Sequence, residues 1–273
     1  MLVRLGLGLA IVVGALAVVP AALAAYPTPY AAQGGGGVLS RDGSLRFVAL
    51  KAGRNTLVSA IRTTDATTVR TRTLSGAYGI PTLTQNGLAG GVFRDGSTLV
   101  LQSMGKARRS SFVLVGTHDL APRARISLKG TFGFDALSPD GSRLYLIQNS
   151  SAEDLEHYVV RAYDLAEHTL LPGRIADKTQ AGWVMQGFAV SRASSRDGRW
   201  VYTLYTNPGG YPFVHALDAV RGVAHCVGLP WRDANQGPVF NFRLTVKGDS
   251  LLVRWQDGHV YRTIDRKTWR VSR

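Results

Sequence analysis

One short phrase recurs five times along the chain, and it constrains the fold more than any other feature. Its core is an Asp-Gly pair, inverted in the last copy, flanked by small or polar residues. The glycines stand at positions 43, 96, 141, 198 and 248, so the copies are 53, 45, 57 and 50 residues apart. A period of this size is typical of a repeat architecture. The copies are Ser40-Arg41-Asp42-Gly43-Ser44, Phe93-Arg94-Asp95-Gly96-Ser97, Ser138-Pro139-Asp140-Gly141-Ser142, Ser195-Arg196-Asp197-Gly198-Arg199 and the degenerate Val246-Lys247-Gly248-Asp249-Ser250.

Each copy predicts a tight turn followed by a buried strand. Glycine takes the positive φ that such a turn needs, and the Asp side chain can bond to its own backbone. The segments after the turns (47–50, 99–101, 144–147, 201–205 and 251–253) are almost continuously apolar, which favours strands covered on both faces. Further β segments complete units of about four strands. The sequence therefore predicts an all-β chain, a β-propeller of about five four-stranded blades with no helix after residue 25.

A family resemblance agrees with this fold. Ser138-Pro139-Asp140-Gly141-Ser142-Arg143-Leu144-Tyr145, with Ala162-Tyr163-Asp164-Leu165 behind it, resembles the blade signature of YVTN/TolB-type propellers. The pattern is also similar to exported bacterial propeller proteins, and it covers about residues 38–272. The resemblance implies a fold and brings no catalytic residues, because propellers host binding modules, scaffolds and several classes of enzyme.

The first 25 residues have the three parts of a secretory signal. Arg4 supplies the positive charge, residues 5–19 are apolar, and Ala22-Leu23-Ala24 fits a signal-peptidase site. We expect residues 1–25 to be a signal peptide, residues 26–37 a flexible Gly/Pro-rich lead-in, and residues 38–273 the propeller. The protein is then secreted or extracytoplasmic. The alternative is a membrane anchor formed by an uncleaved N-terminal helix, since the apolar stretch approaches the ~20 residues that span a bilayer.

The formal net charge of +14 comes mostly from arginine. The basic residues are scattered, so we attribute the charge to composition and expect no nucleic-acid partner. The single Cys226 has no partner for an internal disulfide, and we expect it to be a small buried apolar residue. We expect a monomer with no stable membrane insertion after signal cleavage.

Motifs of known chemistry are largely missing. The sequence has no G-x-S-x-G elbow, no H-E-x-x-H, no Walker loop and no C-x-x-C. The six histidines are scattered along the chain, and only His215 and His225, across a hairpin, could have the spacing of metal ligands, so we predict no metal and no cofactor. Asn149-Ser150-Ser151 matches a glycosylation acceptor, although the pattern is common by chance. Four tryptophans allow a carbohydrate platform, but packing between blades is favoured: Trp183, Trp231, Trp255 and Trp269.

The best candidate site is one end of the axial channel. Asp135 and Arg192 both stand six residues before the glycine of their own unit. They occupy equivalent places in adjacent blades, and we expect them to face each other at the channel. The alternative to a ligand site is a structural ion pair. Other polar candidates near the first strands of their units are Gln85, Asn86, Asn241 and Arg243.

The sequence leaves three functional classes open. The first is a binding or scaffold module for a protein, peptide or cell-envelope polymer, without catalysis. The second is a propeller hydrolase, lactonase-like, with its site at the channel mouth. The third is a structural envelope protein, which predicts no concave site.

Overall fold

The computed structural model describes residues 30–104, 108–155, 157–177, 179 and 184–273, which form five antiparallel sheets. The predicted signal peptide, residues 26–29 and Trp183 lie outside the described residues. The first strand among the described residues is short, β1 (Tyr30–Ala32), and it belongs to the second sheet. The first sheet consists of β2 (Gly34–Leu39), β3 (Leu45–Ala52), β4 (Asn55–Arg62) and β5 (Thr68–Ser75), in that order.

The second and third sheets repeat this arrangement with additions. In the second, β1 pairs with the first regular strand of the sheet, so that Tyr30 lies opposite Thr82. The second sheet contains β6 (Tyr78–Thr82), β7 (Thr98–Ser103), β8 (Arg109–Gly116) and β9 (Pro122–Lys129). The third contains β10 (Phe132–Leu137), β11 (Arg143–Asn149), β12 (His157–Asp164), β13 (Thr169–Leu170) and β14 (Met185–Gln186), where β13 and β14 both pair with β12.

The fourth and fifth sheets have four strands each in sequence order. A single turn of 3-10 helix, Gly237–Asn241, precedes the fifth sheet. The fourth contains β15 (Ala189–Ser194), β16 (Trp200–Tyr205), β17 (Phe213–Asp218) and β18 (Val223–Gly228). The fifth contains β19 (Phe242–Lys247), β20 (Ser250–Trp255), β21 (Val260–Asp265) and β22 (Val271–Ser272).

The five Asp-Gly phrases form the turns between the first and second strands of the sheets, as predicted. The glycines of the first four, Gly43, Gly96, Gly141 and Gly198, have φ angles of 72°, 75°, 72° and 75°. In each, the glycine N–H donates to the carbonyl three residues earlier, at 2.9 to 3.0 Å. The shared geometry requires a residue that tolerates positive φ, so the repeat in sequence is a repeat in backbone conformation.

Four apolar clusters join successive sheets. They lie between sheets 1 and 2, 2 and 3, 3 and 4, and 4 and 5. The second strands are buried at their centres on both faces, which explains their continuous apolar runs. None of the four clusters contains residues of both the fifth and the first sheet.

Three local expectations are corrected. Residues 30–37 are not a flexible lead-in, because they lie mostly in β1 and β2 and pair with β6 and β3. The last strands of sheets 3 and 5 are two-residue segments, shorter than expected, because each pairs only along the end of its neighbour. The turn at Gly237–Asn241 is helical, with a proline at its start. Within the described ranges, no helix has the length and apolar character needed to cross a membrane.

Candidate functional site

A cavity of about 530 Å³ opens where the first strands of the sheets approach their Asp-Gly turns. One wall is formed by the ends of β10 and β15, and the other by residues 83 and 88–92, which follow β6. Leu83, Leu88 and Phe134 are among the apolar side chains of these walls. The volume lies within the range of about 300–1,000 Å³ that is usual for ligand pockets.

The arginine that precedes Asp in the turn phrase lines this cavity in three of the five units. Arg41, Arg94 and Arg196 hold the same place in the repeat, and the third unit has Pro139 there, also at the cavity. All three arginines are exposed. Among the described residues, no carboxylate lies within ion-pair distance of any of them. Their guanidinium groups therefore give the rim of the cavity a net positive charge.

The aspartates of the same turns are held by their own turn. The Asp42 carboxylate accepts hydrogen bonds from the hydroxyls of Ser40 and Ser44, at 2.6 and 2.7 Å. The bond from the Ser40 hydroxyl is the main reason that the pKa of Asp42 falls to about 2. Asp140 is bound in the same way by Ser138, which also lowers its pKa. These carboxylates stabilise the turns. In the phrase, the arginine therefore faces the cavity, and the aspartate next to it is bound within the turn.

Two turns that are not neighbours in the ring meet at the cavity. The Nη1 atom of Arg94, in the second sheet, donates a hydrogen bond of 3.0 Å to the carbonyl oxygen of Arg196 in the fourth. The same Nη1 atom lies 2.8 Å from the position that a Cβ on Gly198 would take. A side chain at position 198 would therefore require the Arg94 guanidinium group to move. The glycine serves both the turn and this contact across the rim.

Asp135 and Arg192 lie next to each other, as their matched positions predict, and they form the ion pair that was the alternative to a ligand site. Arg192 Nη2 contacts the Asp135 carboxylate, and Nη1 donates to the Asp135 carbonyl oxygen at 2.6 Å. Arg192 Nε donates to the Thr203 hydroxyl at 3.0 Å. The two side chains are only 7% and 6% exposed, yet both residues are part of the cavity lining. The pair joins β10 to β15 at the cavity wall.

A row of polar side chains continues from this pair across the fourth sheet. Arg192, Thr203, His215 and Cys226 are directly opposite one another on β15 to β18, so they share one face of the sheet. His215 Nδ1 lies 3.5 Å from Cys226 Sγ, and Asp177 accepts from the Cys226 N–H at 2.9 Å. Burial lowers the pKa of His215 to about 4 and raises that of Cys226 to about 12. Both groups are therefore neutral near pH 7, and they do not form a thiolate–imidazolium pair.

Solved structures with the same sheet arrangement show the fold. No family model and no curated protein sequence matches the chain. The β-propeller domain of Cps50 (Swd1) from Myceliophteria thermophila is similar, with a TM-score of 0.52 and 14% identity over 89% of this chain and 70% of that chain. The chain is a β-propeller. TolB from Acinetobacter baumannii matches with a TM-score of 0.45 and 13% identity over 85% of this chain and 52% of that chain.

The comparison confirms the predicted all-β propeller at the level of fold. At 14% identity it carries no residue roles, so the site has to be argued from this propeller alone.

Of the other predicted site residues, Asn86 and Arg243 line a second cavity, and Gln85 and Asn241 line neither. A neighbouring cavity of about 370 Å³ is lined by Asn86, Arg192 and Arg243 among others, and Arg192 contributes to both. The Gln85 backbone N–H donates to the Ala189 carbonyl at 2.9 Å, which ties the segment after β6 to the fourth sheet. Asn241 lines neither cavity, because it is exposed at the end of the 3-10 helix.

Packing decides the roles of the three described tryptophans and of Asn149. Trp231, Trp255 and Trp269 pack against the apolar cluster between sheets 4 and 5, as expected for packing between blades. Asn149 is 7% exposed, and its Nδ2 donates to the Leu155 carbonyl at 3.1 Å. Its amide is therefore inaccessible in the folded propeller, and the acceptor pattern at 149–151 has no surface role.

The charged side chains of the cavity are mostly arginines. Among the described residues that line it, Asp135 contributes the only carboxylate, which is ion-paired with Arg192. Within the described part of the chain, no group of three or more His, Cys, Asp and Glu side chains has the geometry of a metal site. The arginines at the rim were missed by motif searching, because each is unremarkable alone. The signal that identifies them is their common place in the repeat, one residue before Asp.

Proposed function

We propose that this protein is a non-catalytic extracytoplasmic binding module whose channel mouth receives an anionic group of a protein, peptide or cell-envelope ligand. The observation that carries the proposal is the set of three rim arginines, Arg41, Arg94 and Arg196, at the 530 Å³ cavity. The aspartates of the same turns stay ionised, but they accept hydrogen bonds within their own turns and form no ion pair with these arginines among the described residues.

The electrostatics of the rim support an anionic ligand. Guanidinium groups form strong, often bidentate hydrogen bonds with carboxylates and phosphates. Three of them around one concave surface attract such a group at low ionic strength, and the attraction weakens as salt is added. The extracytoplasmic location rests on the predicted signal at residues 1–25, and it places the ligand outside the cytoplasm.

Binding is favoured over hydrolysis by the state of Asp135. In the hydrolase alternative, the acid or base would be Asp135, which is the only carboxylate among the described residues that line the cavity. Its carboxylate is ion-paired with Arg192 and nearly excluded from solvent, which suits a structural role.

The test is a binding titration with defined anions, by isothermal calorimetry at low salt, using a hexaglutamate peptide, polyglycerol phosphate and a hexalysine peptide. The site variant is Arg41→Gln, Arg94→Gln and Arg196→Gln together. The control is Arg54→Gln, Arg232→Gln and Arg270→Gln, three exposed arginines with no side-chain hydrogen bond among those of the described residues. Both variants change the net charge equally.

At least one anion should bind the wild-type protein and the control, and lose about tenfold or more in affinity with the site variant. Hexalysine should not bind. An equal loss in both variants would mean that the overall charge, and not the channel mouth, attracts anions, and the proposal would be wrong. Turnover of a lactone or ester substrate that is abolished by Asp135→Asn would support the hydrolase instead.

A further inference from the structure

The channel-mouth cavity has two chemically different zones, a cationic rim and an apolar wall. The rim consists of the arginines at the turns. The wall includes Leu83, Leu88 and Val92 on one side and Phe134 and Leu137 on the other. A simple anion such as phosphate has no apolar part to place against such a wall. The arrangement therefore suits a ligand that carries an apolar group and a negative charge close together.

Leu88 is the apolar wall residue that a ligand could most readily cover. It lines both channel cavities and is 45% exposed, although it is a large apolar side chain. It lies in the segment that leaves β6, where Leu83 N–H donates to the Leu88 carbonyl and Gln85 N–H reaches the Ala189 carbonyl. The segment is thus fixed by backbone bonds at both sides of the channel. An apolar ligand group next to Leu88 would remove its side chain from water.

The backbone around the cavity favours a peptide. β10 and β15 are the first strands of their sheets, and each pairs with only one neighbouring strand, so one edge of each is turned to the channel. Sheet 2 shows that the channel accepts an extended segment on such an edge, because β1 pairs with β6 there. Part of each edge is already bound within the chain: the Phe132 and Phe134 N–H groups donate to Ser110 and Gln102, the Asp135 carbonyl accepts from Arg192, and the Ala189 carbonyl accepts from Gln85. An extended peptide would pair with the edge N–H and C=O groups nearer the Asp-Gly turns, which an acyl chain cannot use.

Resting on the proposed function, we infer that the ligand of the channel mouth is an acidic peptide segment with an apolar anchor residue: the anchor packs against Leu88 in the cavity, and the flanking carboxylates bind Arg41, Arg94 and Arg196 at the rim. The anchor determines which acidic segments bind, and the arginines supply most of the charge attraction.

The experiment compares two peptides that differ only in the anchor, Ac-Glu-Glu-Leu-Glu-Glu-amide and its alanine counterpart, by fluorescence anisotropy on the full chain. The leucine peptide should bind wild type about tenfold more tightly than the alanine peptide, because three more carbon atoms leave the water. Leu88→Ser should remove most of that preference and leave the alanine peptide unaffected. The control is Leu39→Ser, in the first sheet, because Leu39 is 46% exposed and lines neither cavity.

The outcomes separate this inference from the proposed function. If both peptides bind equally and both are lost in the triple arginine variant, the anion site stands and the anchor is wrong. If polyglycerol phosphate binds in an arginine-dependent way and neither peptide binds, the inference of a peptide ligand is wrong, and the anion site is still supported. Binding of oleate that Leu88→Ser abolishes, with neither peptide bound, would replace the peptide by a lipid. Absence of any arginine-dependent binding would overturn both.

Discussion

The interface between sheets 3 and 4 differs sharply from the seam between sheets 5 and 1. Sheets 3 and 4 share a cluster that contains Tyr145, Tyr158 and Tyr205, and two of these tyrosines donate to backbone carbonyls across the interface. The buried Asp135–Arg192 pair lies in the same interface. Its apolar packing and its polar bonds thus hold the same two sheets together.

None of the four apolar clusters spans the seam. Val48 and Leu252, on the faces turned away from the neighbouring clusters, are buried, at 1% and 8% exposure. Neither belongs to any of the four clusters that join the other sheets. Each end sheet is built from consecutive strands, and β1 joins sheet 2, so among the described strands none from one end of the chain completes the sheet at the other. From this comparison we expect the interface between sheets 3 and 4 to contribute more to stability than the seam does.

The largest effect should come from breaking the buried pair. Asp135→Ala leaves Arg192 charged and without its carboxylate in a site that is 7% exposed. We expect the free energy of unfolding to fall by about 3–5 kcal/mol, the usual cost of removing one partner of a buried pair. Urea unfolding followed by tryptophan fluorescence measures it.

The matched control is Asp249→Ala, which removes a partner from the exposed Lys267–Asp249 pair, at 72% and 67% exposure. It should cost about 1 kcal/mol or less. Similar losses in the two variants would show that the interface between sheets 3 and 4 is not special.

A pH dependence of stability should come from the same interface. Burial holds His215 neutral, with a pKa of about 4 in the folded protein against 6.5 as its ordinary value. Between these values the unfolded chain binds a proton that the folded protein does not bind, so stability is full above pH 6.5 and falls as the pH drops towards 4. The loss should approach about 3 kcal/mol.

Unfolding measured at pH 7, 6, 5 and 4.5 tests this. His215→Phe should flatten the dependence in that window, whereas His118→Gln, at an exposed histidine, should leave it as in the wild type. A dependence that survives in His215→Phe would assign it to other groups.

A smaller difference should separate two leucine truncations. Leu217→Ala removes a 1% exposed side chain from the cluster between sheets 3 and 4, and Leu252→Ala removes one from the seam. The first should cost about 2–5 kcal/mol, because packed neighbours leave a cavity behind. The second should cost about 1–2 kcal/mol less, since the seam has fewer neighbours to lose. Equal costs would mean that the seam is packed as firmly as the other interfaces.

The repeat in the sequence predicted most of the fold. The predicted second strands at 47–50, 99–101, 144–147, 201–205 and 251–253 all lie within β3, β7, β11, β16 and β20. That Asp135 and Arg192 lie next to each other also followed from the sequence, because equivalent positions of adjacent repeat units are neighbours in space, and the ion pair that they form is the alternative that the sequence left open. The expectation failed for the last strands of sheets 3 and 5 and for residues 30–37, where pairing depends on distant segments.

By itself, the sequence determined the turns, the strands and their order in each sheet, because these depend on residues within a few positions of one another. An Asp-Gly turn and an apolar run act locally, and five copies of them repeat the same sheet. Only the tertiary structure decided which side chains face the channel. Arg41, Arg94 and Arg196 are 53 and 102 residues apart in the chain, and the ring brings them to one cavity. His215 loses its charge for the same reason, since its burial is produced by two sheets packing together.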